Sequence, residues 1–267
     1  MTEEYIRAQA ETFPGRVAVL YKDMTDSSSE TVSIRAGEQV VSASMIKVPV
    51  MLAILDMVRN GHLGLDDMIT VRNDQILDDS LVFEYGGRQA SLYELMVWMI
   101  VNSDNTSTNV LFEMLGYDAM NSYFKKMGLE CTSAGRKMLD FEAVKQGRNN
   151  YISPVDFYSC MRYLYDNRDD RYNSAALSIL SRNRDCGSLC RYLYDDMKVM
   201  HKTGGLDDIA HDGGIFVTDR GTYFLGVFVS GFEPGPEMCK EAEKLMGRIS
   251  RRVYEDRERL KKPVQGI

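Results

Sequence analysis

Two β-rich stretches at opposite ends of the chain bracket a long helical middle, and that order limits the fold more than any other feature. Residues 16–22 (RVAVLYK) and 30–35 (ETVSIR) read as strands joined by the turn MTDSSS, whose short polar side chains hydrogen-bond locally. From about 43 to 185 the apolar residues recur at helical spacing, as in MIKVPVMLAILDMVRNG, SLYELMVWMIV, VDFYSCMRYLY and ALSILSR. Then KVMHKTG, DGGIFVT and TYFLGVFVSG are β-rich again, the last two joined by the tight turn Asp219-Arg220-Gly221. Met238, Ala242, Leu245, Met246, Ile249 and Val253 form one apolar face of a final helix. Neither terminal β segment makes a sheet alone, so the two should pair with each other. The expected fold is α/β (α+β): an antiparallel five-stranded sheet flanked by helices, built from residues 1–42 and 186–267, with residues 43–185 inserted as an all-helical domain. A groove should run along the seam between the two parts, where binding sites commonly form.

Composition narrows the function. At 44% hydrophobic and 27% charged residues the chain is ordinary globular protein, and a formal charge of −7 gives no positive field for a phosphate backbone. Nucleic acid is therefore excluded as the expected partner. The longest apolar run, Val48 to Leu55, is too short to span a bilayer. The opening MTEEYIRAQAETFPG has neither the cationic start nor the apolar stretch of a secretory leader, so the expected location is cytoplasmic, or secreted if a leader has been removed. Five cysteines show no C-x-x-C pair and read as buried or idle thiols in a reducing compartment. His62, His201 and His211 are dispersed without ligand spacing, so no metal or cofactor is expected.

Three short motifs carry chemistry. Ser44-Met45-Ile46-Lys47 opens the first long helix of the insert, and three residues is nearly one turn, so Ser44 and Lys47 share a face. A desolvated lysine there could take the proton of an otherwise weak serine nucleophile. The plainer reading is a helix cap, and S-x-x-K should occur about once in a chain this long. It recurs as Ser122-Tyr123-Phe124-Lys125. Ser103-Asp104-Asn105 lies between two helices, where such residues also serve as caps, and Lys202-Thr203-Gly204 ends a strand. Each of these tripeptides is expected only about 0.05 times by composition, and all three motifs together in this order argue against coincidence.

In these motifs the sequence resembles the class A β-lactamases and, more broadly, the penicillin-recognising serine hydrolases. The spacing between the motifs fits, and the likeness continues through KVPVMLAILDMVRNGHLGLDD and MIVNSDNTSTNVLFEMLG. The second S-x-x-K, at Ser122, fails on order. The resemblance implies a β-lactamase/transpeptidase-like fold, with Ser44 as the acylated nucleophile, Lys47 as its base or proton partner and Ser103 as the relay to the leaving nitrogen. Asn105 would hold the substrate's side-chain amide and help orient Lys47. Lys202, Thr203 and Gly204 would meet the substrate carboxylate. The backbone N–H groups of Ser44 and Gly205 would form the oxyanion hole, and Asp104 would pin the loop.

The likeness breaks at the loop that in class A enzymes carries the water-activating glutamate of an R-x-E-x-x-L-N pattern. Anchoring on Arg136 places Met138 where that glutamate belongs, leaving Asp140 or, less directly, Glu142 as replacement bases. Arg148-Asn149-Asn150 offers amides where the loop arginine's aspartate partner should be, and His211 stands nearest to a missing carboxylate-binding arginine, as an anion contact or as a structural residue. The expected function is a serine hydrolase working through an acyl-serine on β-lactam-like amides with impaired release. The alternatives are a D-alanyl peptidase or esterase of the same superfamily, or a non-hydrolytic ligand sensor. The expected partner is a small carboxylate-bearing substrate; the oligomeric state stays open. His201, next to Lys202 in a strand, should point to the opposite face of the sheet.

Overall fold

The computed structural model describes residues 2–25, 31–193 and 197–259. A helix absent from the sequence reading, α1 (Thr2–Thr12), precedes the hairpin β1 (Arg16–Asp23) and β2 (Thr31–Ile34). Most of the MTDSSS turn, residues 26–29, lies outside the described residues. A short β3 (Val40–Val41) leads into the helical stretch, which starts with a 3-10 turn over Ala43–Ile46 and continues as α2 (Lys47–Arg59). A small ribbon follows, β4 (Met68–Thr70) with β5 (Gln89–Ser91), then α3 (Leu92–Val101), α4 (Asn105–Leu115), α5 (Tyr117–Lys126) and the short α6 (Phe141–Lys145). After β6 (Tyr151–Ile152), which pairs with β3, come α7 (Pro154–Asp166) and α8 (Arg171–Leu180). The chain ends with β7 (Lys198–Leu206), β8 (Ile209–Thr218), β9 (Gly221–Ser230) and α9 (Pro236–Arg259).

The two ends of the chain meet in one antiparallel five-stranded sheet of order β2-β1-β9-β8-β7. Strands β1 and β9 inside it are nearly continuous in apolar residues because both their faces are covered, and side-chain alternation divides them between two cores. Ala18, Leu20, Ile215, Phe224 and Phe228 face the helical stretch, packing with α2 and α7. Val17, Val19, Tyr21, Leu225 and Val229 face the other way, under α1 and α9. Gly213 lets α7 come close, since a Cβ there would stand 2.9 Å from the Phe157 ring.

The start of α2 accommodates a proline, Pro49. Residues 43–46 form a 3-10 turn and the α-helix begins at Lys47, which puts Pro49 in the first α-turn, where its missing N–H leaves no helical bond unmade. Everything from Lys47 to Leu55 is buried, so this helix is the axis of the helical stretch. Among the described residues no helix is long and apolar enough to cross a membrane.

Candidate active site

Ser44 sits in the 3-10 turn, directly after Ala43, whose φ of 44° is a left-handed conformation that a side chain adopts at a cost. Strand β7 presses against this turn: a Cβ added to Gly204 would lie 2.9 Å from the backbone nitrogen of Ser44. Only glycine permits that approach, which brings Thr203, Gly204 and Gly205 to the same pocket as Ser44. The pocket holds about 450 Å³ and is also lined by Ser103 and Asn105 from the α3–α4 junction. A larger cavity of about 510 Å³, bordered by Tyr165, Ser178 and Met200, contains none of the motif residues.

Ser103 is held by its neighbours in a second left-handed conformation, φ 52°. Asp104 caps α4 by accepting from the Ser107 N–H at 2.6 Å, and it also accepts from the Ser80 hydroxyl. With the loop pinned, two buried lysines converge on the Ser103 hydroxyl, Lys47 Nζ at 3.1 Å and Lys202 Nζ at 3.0 Å. Lys47 further donates to the Ser103 carbonyl at 2.6 Å and to Asn105 Oδ1 at 2.8 Å. Lys202 donates to the Thr203 carbonyl at 2.8 Å.

Burial sets the charge of this pair. Desolvation, and after it the nearby charge of Lys202, pull Lys47 well below the ordinary lysine range, against the opposing charges of Asp104 and Asp79. Desolvation lowers Lys202 to about 8, with Asp185 and Asp212 opposing. Both lysines are therefore easier to deprotonate than a free lysine, and Lys202, at about 8, keeps most of its charge near neutral pH. When Lys47 is neutral, its two N–H donors can rest on the Ser103 and Asn105 carbonyl oxygens, which turns its lone pair toward the Ser103 hydroxyl.

The loop of residues 136–143 is built otherwise. The Met138 side chain is buried, and its backbone is clamped by Asn109, which accepts from the Met138 N–H at 2.7 Å and donates to its carbonyl at 3.2 Å. Asn149 stands in for the missing aspartate, accepting from Arg136 Nε at 2.8 Å. Asp140, considered from the sequence as a replacement base, instead caps α6 by accepting from the Ala143 N–H at 2.9 Å, and it does not line the Ser44 pocket. The cause is local: its carboxylate starts a helix, where it satisfies a backbone donor. Glu142 is exposed and paired with Lys145. His211 lines the pocket but is buried, stacked on Phe228 at 4.7 Å, with Nε2 donating to the Val41 carbonyl at 3.1 Å. Desolvation lowers it to about 4, so it stands neutral and offers no cation to an anion.

Three carboxylates line the pocket that the sequence reading did not place there: Asp79, Asp185 and Glu243. Asp79 accepts from Asn105 Nδ2 at 2.7 Å, and Glu243 is pushed up by burial and then by the charge of Asp185. They arrive from three distant segments, and no local pattern marks them. The lysines lie buried behind Ser103, so the pocket pairs a cationic interior with carboxylates on its open sides.

Comparison with known proteins agrees with this architecture. The chain belongs to the beta-lactamase enzyme family, whose model matches residues 1–256. With the class A enzymes among its structural neighbours, that makes it a member of the penicillin-recognising serine hydrolase superfamily. A β-lactamase from Chitinophaga pinensis superposes with a TM-score of 0.87 at 23% identity, covering 96% of this chain and 98% of that one. A β-lactamase from Sphaerobacter thermophilus gives 0.84 at 25% identity, with 98% of each chain covered. A mutant of PBP-A, solved as an acyl-enzyme complex with penicillin G, gives 0.85 at 23% identity, covering 97% of this chain and 96% of that one. No curated protein matches the sequence.

Proposed function

We propose that the protein is a serine hydrolase that accepts β-lactam-like amides through an acyl-Ser44 intermediate and releases the acyl group slowly. The reading rests above all on Ser103, whose hydroxyl lies between two buried lysines of unequal proton affinity. In this scheme Lys47 takes the Ser44 proton as the oxygen attacks the amide carbonyl. The tetrahedral oxyanion is met by the N–H groups of Ser44 and Gly205. The proton then passes from Lys47 to Ser103, whose hydroxyl gives its own to the leaving nitrogen, and the C–N bond breaks. Protonated Lys202 with Thr203 and Gly204 receives the substrate carboxylate, and Asn105 its side-chain amide.

Hydrolysis of the ester needs a base that activates water. Met138 offers a thioether, which cannot act as one, and Asp140 is bound to its helix cap. These two observations favour slow release, and with it a role in which the acylated state persists as a sensor. A neighbour of the same fold, the PBP-A mutant, is known as an acyl-enzyme with penicillin G. The test is intact mass after mixing with a penicillin, beside turnover of a chromogenic cephalosporin and of a simple D-alanyl ester. A Ser44 adduct with little cephalosporin turnover supports the proposal. Rapid ester turnover without a lasting adduct would favour the esterase or peptidase reading, and absence of any adduct would rule out acylation.

A further inference from the structure

The face of β7 opposite Lys202 carries a cluster of reactive groups that the acyl pocket does not use. Adjacent strand residues point to opposite faces, so His201 turns away from Ser103. Its Nδ1 lies 2.9 Å from Asp212 Oδ1, in an ion pair whose side chains are 2% and 0% exposed. The other Asp212 oxygen accepts from the Leu189 N–H at 3.0 Å, which ties the turn after Gly187 to strand β8. That turn delivers Cys190, whose sulfur lies 4.0 Å from His201 Nε2. Asp212 engages Nδ1 and so leaves Nε2 facing the sulfur.

A cavity of about 350 Å³ opens on this group, lined by Cys190, His201, Leu193, Met197, Val199 and a second cysteine, Cys186. Cys186 is exposed, and all five cysteines are free thiols. The thiols of Cys131 and Cys239 meet backbone carbonyls, of Gly37 at 3.4 Å and Leu206 at 3.7 Å, and Cys160 is buried in the core. Burial alone would lower His201, but the charge and hydrogen bond of Asp212 outweigh it and hold the imidazole well above its ordinary value. His201, backed by the Asp212 carboxylate, is thus the group placed to exchange a proton at the Cys190 sulfur.

We propose that Cys190, His201 and Asp212 form a thiol site that reduces hydroperoxides, with Cys186 as the resolving thiol. The Cys190 thiolate attacks the distal oxygen of the peroxide, so that an S–O bond forms and the O–O bond breaks. Sulfur loses two electrons, the peroxide gains them, and the departing alkoxide or hydroxide takes the proton of the His201 imidazolium. The sulfenic acid on Cys190 is then attacked by the Cys186 sulfur: the S–S bond forms, the S–O bond breaks, and hydroxide leaves with the Cys186 proton as water. The net change is two thiols and one hydroperoxide to one disulfide, one alcohol or water, and one water.

Residues 185–191 make one tryptic peptide that holds both cysteines, so the reaction can be read as loss of two hydrogens from that peptide. The full-length protein is treated with equimolar hydrogen peroxide and followed by peptide mass spectrometry, with dimedone to trap sulfenic acid. The expected result is oxidation of the 185–191 peptide about tenfold or more faster than of Cys131 or Cys239. Cys186→Ser should accumulate a dimedone adduct on Cys190, and Cys190→Ser should leave Cys186 no faster than Cys131. Asp212→Asn should slow Cys190 without changing Cys131; if that variant misfolds, the two serine variants decide. Equal rates at Cys190, Cys131 and Cys239, or dimedone capture at Cys186 in Cys190→Ser, would overturn the proposal.

Discussion

Around Ser103 the polar contacts run between separate elements: Lys47 from α2 and Lys202 from β7 meet at the Ser103 hydroxyl, and Lys47 also donates to the Ser103 carbonyl and to Asn105 Oδ1 of α4. In the loop of residues 136–143 the polar contacts maintain the loop's own course. Arg136 is taken by Asn149, the Met138 peptide by Asn109 and Asp140 by a helix N-terminus. The first arrangement gathers proton-transfer groups beside the Ser44 pocket; the second ties its polar groups to the loop's own backbone. On the proposed reading, forming the acyl bond and breaking it are separate structural problems, and these two regions bear on one each.

The largest expected effect is on the nucleophile: Ser44→Ala should abolish the penicillin adduct, read by intact mass. Lys47→Ala removes the proton acceptor and should slow acylation by about 10³–10⁴, read from the second-order rate of adduct formation. Met138→Glu attacks the comparison from the other side. A carboxylate there should speed loss of the adduct by about 10², read as turnover of a chromogenic cephalosporin, and no gain would mean the loop fails for a reason other than its missing base.

A pH profile tests the unequal lysines. Burial and then Lys202 depress Lys47, while burial brings Lys202 to about 8. Acylation should rise with pH as Lys47 loses its proton and fall again as pH passes about 8 and Lys202 loses its charge. In Lys202→Arg, which stays charged, the falling limb should disappear. The smallest effect belongs to Asp140→Ala: loss of its cap should cost about 1 kcal/mol in a denaturant melt and leave cephalosporin turnover unchanged. A large drop in turnover would restore Asp140 as a base.

How much of this could be read from the sequence follows from the range of each interaction. The five-stranded antiparallel sheet was legible because apolar β segments at both chain ends have nothing else to pair with. That Ser44, Lys47, Ser103 and Lys202 gather in one place was legible because the three short motifs that hold them are rare together in one order. Asp79, Asp185 and Glu243 were not, since only the folded chain brings them to one pocket. The helix α1 escaped because it buries only Thr2, Ile6 and Ala10, a thin apolar stripe. The helix cap at Asp140 was not legible, because a carboxylate near the right sequence position says nothing of whether a helix end will claim it.

The most direct measurement is a chase: acylate the protein with a penicillin, remove the excess, and follow the mass of the Ser44 adduct with time. The expected result is slow release: an adduct that forms quickly, persists far longer than it took to form, and is shortened by Met138→Glu. An adduct lost as fast as it forms in the unaltered protein would contradict it, since release would then be running on a base that neither Met138 nor Asp140 supplies.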